Sequence, residues 1–135
     1  MISAAVICQA QFYDLDPMEV VWHGNYPRFL EQARTALMEK IGYSFAEMTA
    51  SGFLWPIVDM RIKYVGPVLL RQEIEVTATL KEYLHSLKID YRIADRASGA
   101  VLTKAHTMQV AVAADTQEMA LECPAALIER VEALL

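Results

Sequence analysis

Apolar residues recur at three- and four-residue steps at Tyr26, Phe29, Leu30, Ala33, Leu37 and Ile41, which predicts an amphipathic helix with Pro27 near its start and Gly42 at its end. A shorter helix is expected over Ser44–Ala50, where Ser44 and Glu47 have the spacing of a capping box and Gly52 follows. Ahead of the first helix, residues 6–12 read as a strand. Beyond Gly52 the period falls to two. Met60, Ile62 and Tyr64 alternate with Asp59, Arg61 and Lys63 until Gly66-Pro67 breaks the run. Ile74, Val76, Ala78 and Leu80 alternate with Glu73, Glu75, Thr77 and Thr79, and Leu87, Ile89, Tyr91 and Ile93 with Lys88, Asp90 and Arg92. A turn at Ala97-Ser98-Gly99 leads into a long strand expected over residues 101–113. A last helix is expected from Pro124, with Leu127, Ile128, Val131 and Leu135 on one side.

Strands that are apolar on one face and polar on the other belong to an antiparallel sheet covered on one side. The first helix is the natural cover. The expected class is α+β: an antiparallel five-stranded sheet wrapped around a central helix, in one domain over the 135 residues. No internal repeat or low-complexity tract interrupts it.

Composition narrows the functional classes. The chain is 55% hydrophobic and only 21% charged, which is apolar for its length and suggests that some apolar surface is buried between subunits. An oligomer is the expectation. A net charge of −5 argues against a nucleic-acid partner. That charge is uneven: residues 1–60 carry −4, residues 61–104 carry +3 and residues 105–135 carry −4. The middle third is where phosphate groups would be met, although solvated strand faces also explain a mild excess. No apolar run approaches the roughly 18 residues of a membrane span, and the start lacks the cationic pattern of a signal peptide. Cys8 and Cys123 suit buried, reduced thiols in a cytoplasmic protein.

The chemistry concentrates just before the first helix, in Tyr13-Asp14-Leu15-Asp16-Pro17-Met18-Glu19-Val20-Val21-Trp22-His23-Gly24-Asn25-Tyr26-Pro27. Two carboxylates occupy a turn ahead of a helix start, where unpaired backbone N–H groups can polarise a carbonyl. Asp16 before Pro17 also fits a plain turn cap, and Asn25 fits a helix cap. Glu31 and Arg34, one turn apart, suit a surface or interface pair. His23, His85 and His106 lack metal-ligand spacing, and no cofactor fingerprint is present.

This order of residues resembles the signature of hotdog-fold thioesterases of the 4-hydroxybenzoyl-CoA and YbgC-like type. Asp14, Asp16, Val21, Trp22, His23, Tyr26 and the run Phe29-Leu30-Glu31-Gln32-Ala33-Arg34 fall on that pattern, and Glu19 stands where the family has Gly. The resemblance implies hydrolysis of an acyl-CoA or acyl-carrier-protein thioester without a cofactor, by protomers that pair into a homodimer and, as dimers, into a homotetramer. Asp16 would act as nucleophile or general base, and the backbone N–H of His23 would polarise the thioester carbonyl. Glu19, Trp22, Asn25 and Tyr26 would lie about the substrate, with Trp22, Phe53 and Trp55 as candidates for an acyl pocket and Lys63 and Lys88 for the thiol carrier's phosphates. Lys81-Glu82-Tyr83 matches a family triplet, but Leu84-His85-Ser86-Leu87 follows where aromatic benzoyl-CoA enzymes have arginines. Two other classes remain open: a non-hydrolytic acyl-thioester binding protein, and an acyl transferase or dehydratase of the same fold.

Overall fold

The computed structural model describes residues 1–135. Its sheet contains β1 (Ser3–Gln9), β3 (Ile57–Tyr64), β4 (Glu73–Glu82), β5 (Leu87–Asp95) and β6 (Val101–Gln109), all antiparallel, in the order β1-β4-β5-β6-β3. The helix α1 (Tyr26–Ile41) crosses one face and packs on β1 and β4. This is the hotdog arrangement, with the sheet curled around a central helix.

The alternation read from β4 and β5 is the burial pattern found: Ile74, Val76, Ala78, Leu80, Leu87, Ile89, Tyr91 and Ile93 are buried, while Glu73, Glu75, Lys88, Asp90 and Arg92 face solvent. Opposite them Phe29, Leu30, Ala33, Leu37 and Ile41 of α1 are buried in the same core. Burying each of the larger side chains is worth about 1.5–3 kcal/mol. Gly42 ends α1 in the left-handed region, at φ 84°. There its N–H donates to Glu39, and the N–H of Tyr43 donates to Met38 at 3.0 Å. These bonds satisfy the last helical carbonyls, as a Schellman ending does.

Three boundaries differ from expectation. β1 begins at Ser3 and ends at Gln9, so Phe12 lies in a short 3-10 turn (Phe12–Asp14) and not in the strand. The long last strand is interrupted: β6 stops at Gln109, and Val112–Ala113 (β7) leaves the main sheet to pair with Phe53–Leu54 (β2). The terminal helix α3 runs Ala125–Glu132, leaving Leu135 beyond it. Two capping expectations also change. In α2 (Phe45–Ala50) the side chains of Ser44 and Glu47 bond each other instead of closing a capping box on the backbone. Asn25 does not cap α1; its amide donates to the Asp14 carbonyl at 2.9 Å.

Both cysteines are free and buried. Burial pushes the Cys123 thiol up to about 12, aided by the nearby Glu82 carboxylate. No helix is long and apolar enough to cross a membrane.

Candidate active site

Residues 14–22 fold back on themselves as a small hairpin against the start of α1. The N–H of Trp22 donates to the Asp14 carbonyl, and the N–H of Asp16 to the Val20 carbonyl, each at 2.9 Å, with Leu15 opposite Val21. The turn between them is closed by the Glu19 N–H on the Asp16 carbonyl at 2.9 Å. Glu19 itself is left-handed, at φ 63°. Glycine is favoured at such a hairpin position because an L side chain costs roughly 1–2 kcal/mol there. Glu19 therefore keeps the loop geometry that a glycine would give, with its side chain exposed to solvent.

The hairpin is anchored by Asp14. Its carboxylate is 1% exposed and is held by the Arg28 guanidinium and by the Gln11 N–H at 2.9 Å. Asp14 is thus a loop acceptor. Asp16 is more open: its Oδ1 accepts the Met18 N–H at 2.8 Å, and its Oδ2 has no protein partner. One carboxylate oxygen is held by the loop and the other is left without a protein hydrogen bond.

Past the hairpin, a 3-10 turn (His23–Asn25) runs directly into α1. Neither the N–H of His23 nor that of Gly24 donates to a protein acceptor. Their directions are nevertheless fixed, because C=O and N–H of a trans peptide point opposite ways. The Trp22 carbonyl accepts the Asn25 N–H at 2.9 Å, which sets the peptide that carries the His23 N–H. The His23 carbonyl accepts the Tyr64 hydroxyl at 2.8 Å, which sets the peptide that carries the Gly24 N–H. Two oriented donors at a helix start form a site for a developing negative charge.

Gly24 lies under the Trp22 ring. A Cβ there would lie 2.3 Å from that ring, so any larger residue would displace the indole from its place over this backbone. Trp22 is 47% exposed and packs beside His23, with ring centroids 5.2 Å apart. Tyr26, expected among the substrate residues, is 2% exposed and belongs to the core at the start of α1. Its ring meets Tyr64 edge-on at 4.8 Å. Burial raises the Tyr26 phenol pKa, a backbone hydrogen bond with Val68 opposes that, and Tyr64 and Asp16 raise it further. Tyr64 and Arg28 were not singled out in the sequence, since each acts across a long stretch of chain. The alternation of β3 could have marked Tyr64 as facing α1.

The remaining expected residues lie elsewhere. Trp55 donates to the Tyr43 hydroxyl at 3.3 Å, beyond the C-terminal end of α1. The length of β3 separates it from Tyr64, about 25 Å at the rise of a strand. Phe53, in β2, is at the same far end, so of the three aromatics only Trp22 belongs to the hairpin that carries Asp16. Lys63 and Lys88 project from the face of the sheet turned away from α1, because each alternates with a residue facing the helix. Lys88 is registered against Glu82 and Met108. Nowhere do three or more His, Cys, Asp or Glu side chains converge as a metal site requires.

A family model described as the thioesterase-like superfamily matches residues 10–131. YneP of Bacillus subtilis, provisionally named an acyl-CoA thioesterase, is 31% identical over 75 residues, covering 56% of this chain and 54% of YneP. The chain thus spans about half the length of the curated relatives it matches. Among solved structures, a DHNA-CoA thioesterase from Staphylococcus aureus superposes with a TM-score of 0.82 at 25% identity, over 90% of this chain and 81% of that one. A 1,4-dihydroxy-2-naphthoyl-CoA thioesterase from Synechocystis superposes at 0.86 and 21% identity, over 98% and 97% of the two chains, and shares the fold. The hairpin, the helix start and four of the five sheet strands, β3 to β6, lie inside the matched span, and the chain belongs to the thioesterase-like superfamily.

Proposed function

We propose that this protein hydrolyses an acyl-CoA thioester to the free acid and coenzyme A, with the reaction centred between the Asp16 carboxylate and the N-terminus of α1. The observation that carries this reading is the pair of unpaired, oriented N–H groups of His23 and Gly24 beside a carboxylate with one free oxygen. In the reaction, Oδ2 of Asp16 either adds to the thioester carbonyl or takes a proton from the water that does so. The carbonyl oxygen becomes negative and is met by the His23 N–H. The carbon–sulfur bond breaks, the thiolate takes a proton from solvent, and water supplies the oxygen of the acid. A donor of this kind is worth about 2.7–4 kcal/mol of barrier.

Acyl groups on an acyl carrier protein are the second substrate class, since no arginine cluster follows Lys81-Glu82-Tyr83 to grip a nucleotide. The acyl pocket is completed by a partner protomer. Exposed Phe12, Tyr13, Met18, Trp22, Leu69 and Leu70 lie on or beside the hairpin, and β3 is an edge strand that ends at exposed Tyr64, with exposed Val65 next in the chain. An unpaired edge with apolar side chains favours pairing with a second copy. The reading extends to a homotetramer of two such dimers. Two buried free thiols support a cytoplasmic location.

The test is thiol release by the purified protein from benzoyl, short-, medium- and long-chain acyl thioesters of coenzyme A and of acyl carrier protein. Turnover of one class identifies the substrate and its carrier. A folded oligomer with no turnover on any member would overturn hydrolysis in favour of acyl binding.

A further inference from the structure

On the sheet face turned away from α1, Lys63, Lys104 and Arg92 stand directly opposite one another on β3, β6 and β5. Side chains so placed have Cβ atoms about 4.5–5.5 Å apart, and like charges there oppose folding. None of the three has an acidic partner. The same holds for Arg61, two residues from Lys63, whereas Lys81 faces Asp90 at 3.9 Å and His106 faces Asp59 at 3.6 Å. The row runs on into Thr77, opposite Arg92, and the next row reads Arg61, His106, Asp90, Thr79. Together they line a shallow concavity of about 590 Å³. A chain of net charge −5 thus concentrates unpaired cations where they repel one another.

We infer that this row is a binding site for a ligand carrying two or more phosphate groups. Its three cations span about 10 Å, two strand spacings, which matches linked phosphates and exceeds what one carboxylate can bridge. Lysine and arginine are the usual partners of phosphate oxygens, and the Thr77 and Thr79 hydroxyls add donors beside them. The volume falls within the roughly 300–1,000 Å³ of small-molecule sites. Lys63 and Tyr64 are consecutive and point to opposite faces, so this site lies across the sheet from the Asp16 hairpin.

The test is calorimetric titration of pyrophosphate into the wild type and into a Lys104→Gln/Arg92→Gln double variant, a measurement that needs no turnover and stands apart from the proposed hydrolysis. Saturable binding is expected, weakened about tenfold or more in the double variant. The unliganded variant should also melt higher than wild type at low salt, because repulsion across the row is relieved. The source of the phosphates then follows from KM. A rise with acyl-CoA but not with the acyl-pantetheine thioester, which lacks the nucleotide, assigns the row to the substrate's own phosphates; unchanged KM with both assigns it to a free phosphorylated ligand. Absence of saturable pyrophosphate binding, as expected if an acidic protein surface is the occupant, or equal binding by both proteins, would overturn the inference.

Discussion

The hydroxyl of Tyr64, at the end of β3, donates to the carbonyl of His23 at 2.8 Å and so ties the sheet to the peptide that enters α1. That bond holds one of the two free N–H groups at the helix start in place without touching the reacting atoms, which makes Tyr64 a positioning residue. Tyr64→Phe keeps the ring against Tyr26 and removes only the donor. Unfolding titrations should show a loss of about 1 kcal/mol. Steady-state kinetics should show kcat reduced about tenfold with KM little changed, whereas a purely structural role would leave kcat alone.

Glu19 holds a left-handed turn position at φ 63°. Glu19→Gly relieves that strain but frees the unfolded chain, and the second effect offsets part of the first. A net gain of up to about 1 kcal/mol is expected from a chemical-denaturation midpoint. Glu19→Val, β-branched at the same position, should instead lose stability.

Glu82 closes the turn between β4 and β5, accepting the His85 N–H at 2.8 Å, the Ser86 N–H at 3.2 Å and the Ser86 hydroxyl. Burial alone would raise its pKa, but the Ser86 and His85 hydrogen bonds and the Lys88 charge outweigh burial and hold it below the ordinary 4.5. A carboxyl depressed in the folded state contributes stability above its unfolded pKa and loses it as the pH falls through the folded value. Thermal melts from about pH 6 downward should therefore show Glu82→Gln less stable than wild type near neutrality, by about 1 kcal/mol, with the gap closing below about pH 4.

Much of the frame was legible because burial on one face imposes a period of two on β4 and β5, and the helical period on α1. Gly42 and Pro27 marked the ends of α1 for the same local reasons. What the local pattern could not show depends on pairing across the chain. Val110 to Ala114 carries no turn residue, so the break after Gln109, where the chain leaves to meet Phe53 and Leu54, was invisible. The hairpin's order of residues pointed to Asp16 and His23, yet the Arg28 partner of Asp14 and the Tyr64 partner of His23 are contacts between distant segments. Trp55 was expected at the site as an aromatic flanking the helices and Lys88 as a basic residue on the sheet, and within one chain the length of β3 and the alternation of β5 place them away from Asp16.

His23 enters the account through its backbone, so His23→Ala should leave kcat within about threefold of wild type, far from the effect of losing an oxyanion donor. Assays over pH with the substrate identified from the thioester panel would check this, and a collapse of activity would give the imidazole a direct role.

The central claim rests on the free oxygen of Asp16. Asp16→Asn preserves an oxygen to accept the Met18 N–H and removes the carboxylate, so the fold and thioester binding should survive. Single-turnover thiol release should fall by about a hundredfold or more if Asp16 is the nucleophile or base. Release within a few-fold of wild type, in a variant that still binds its thioester, would contradict the account.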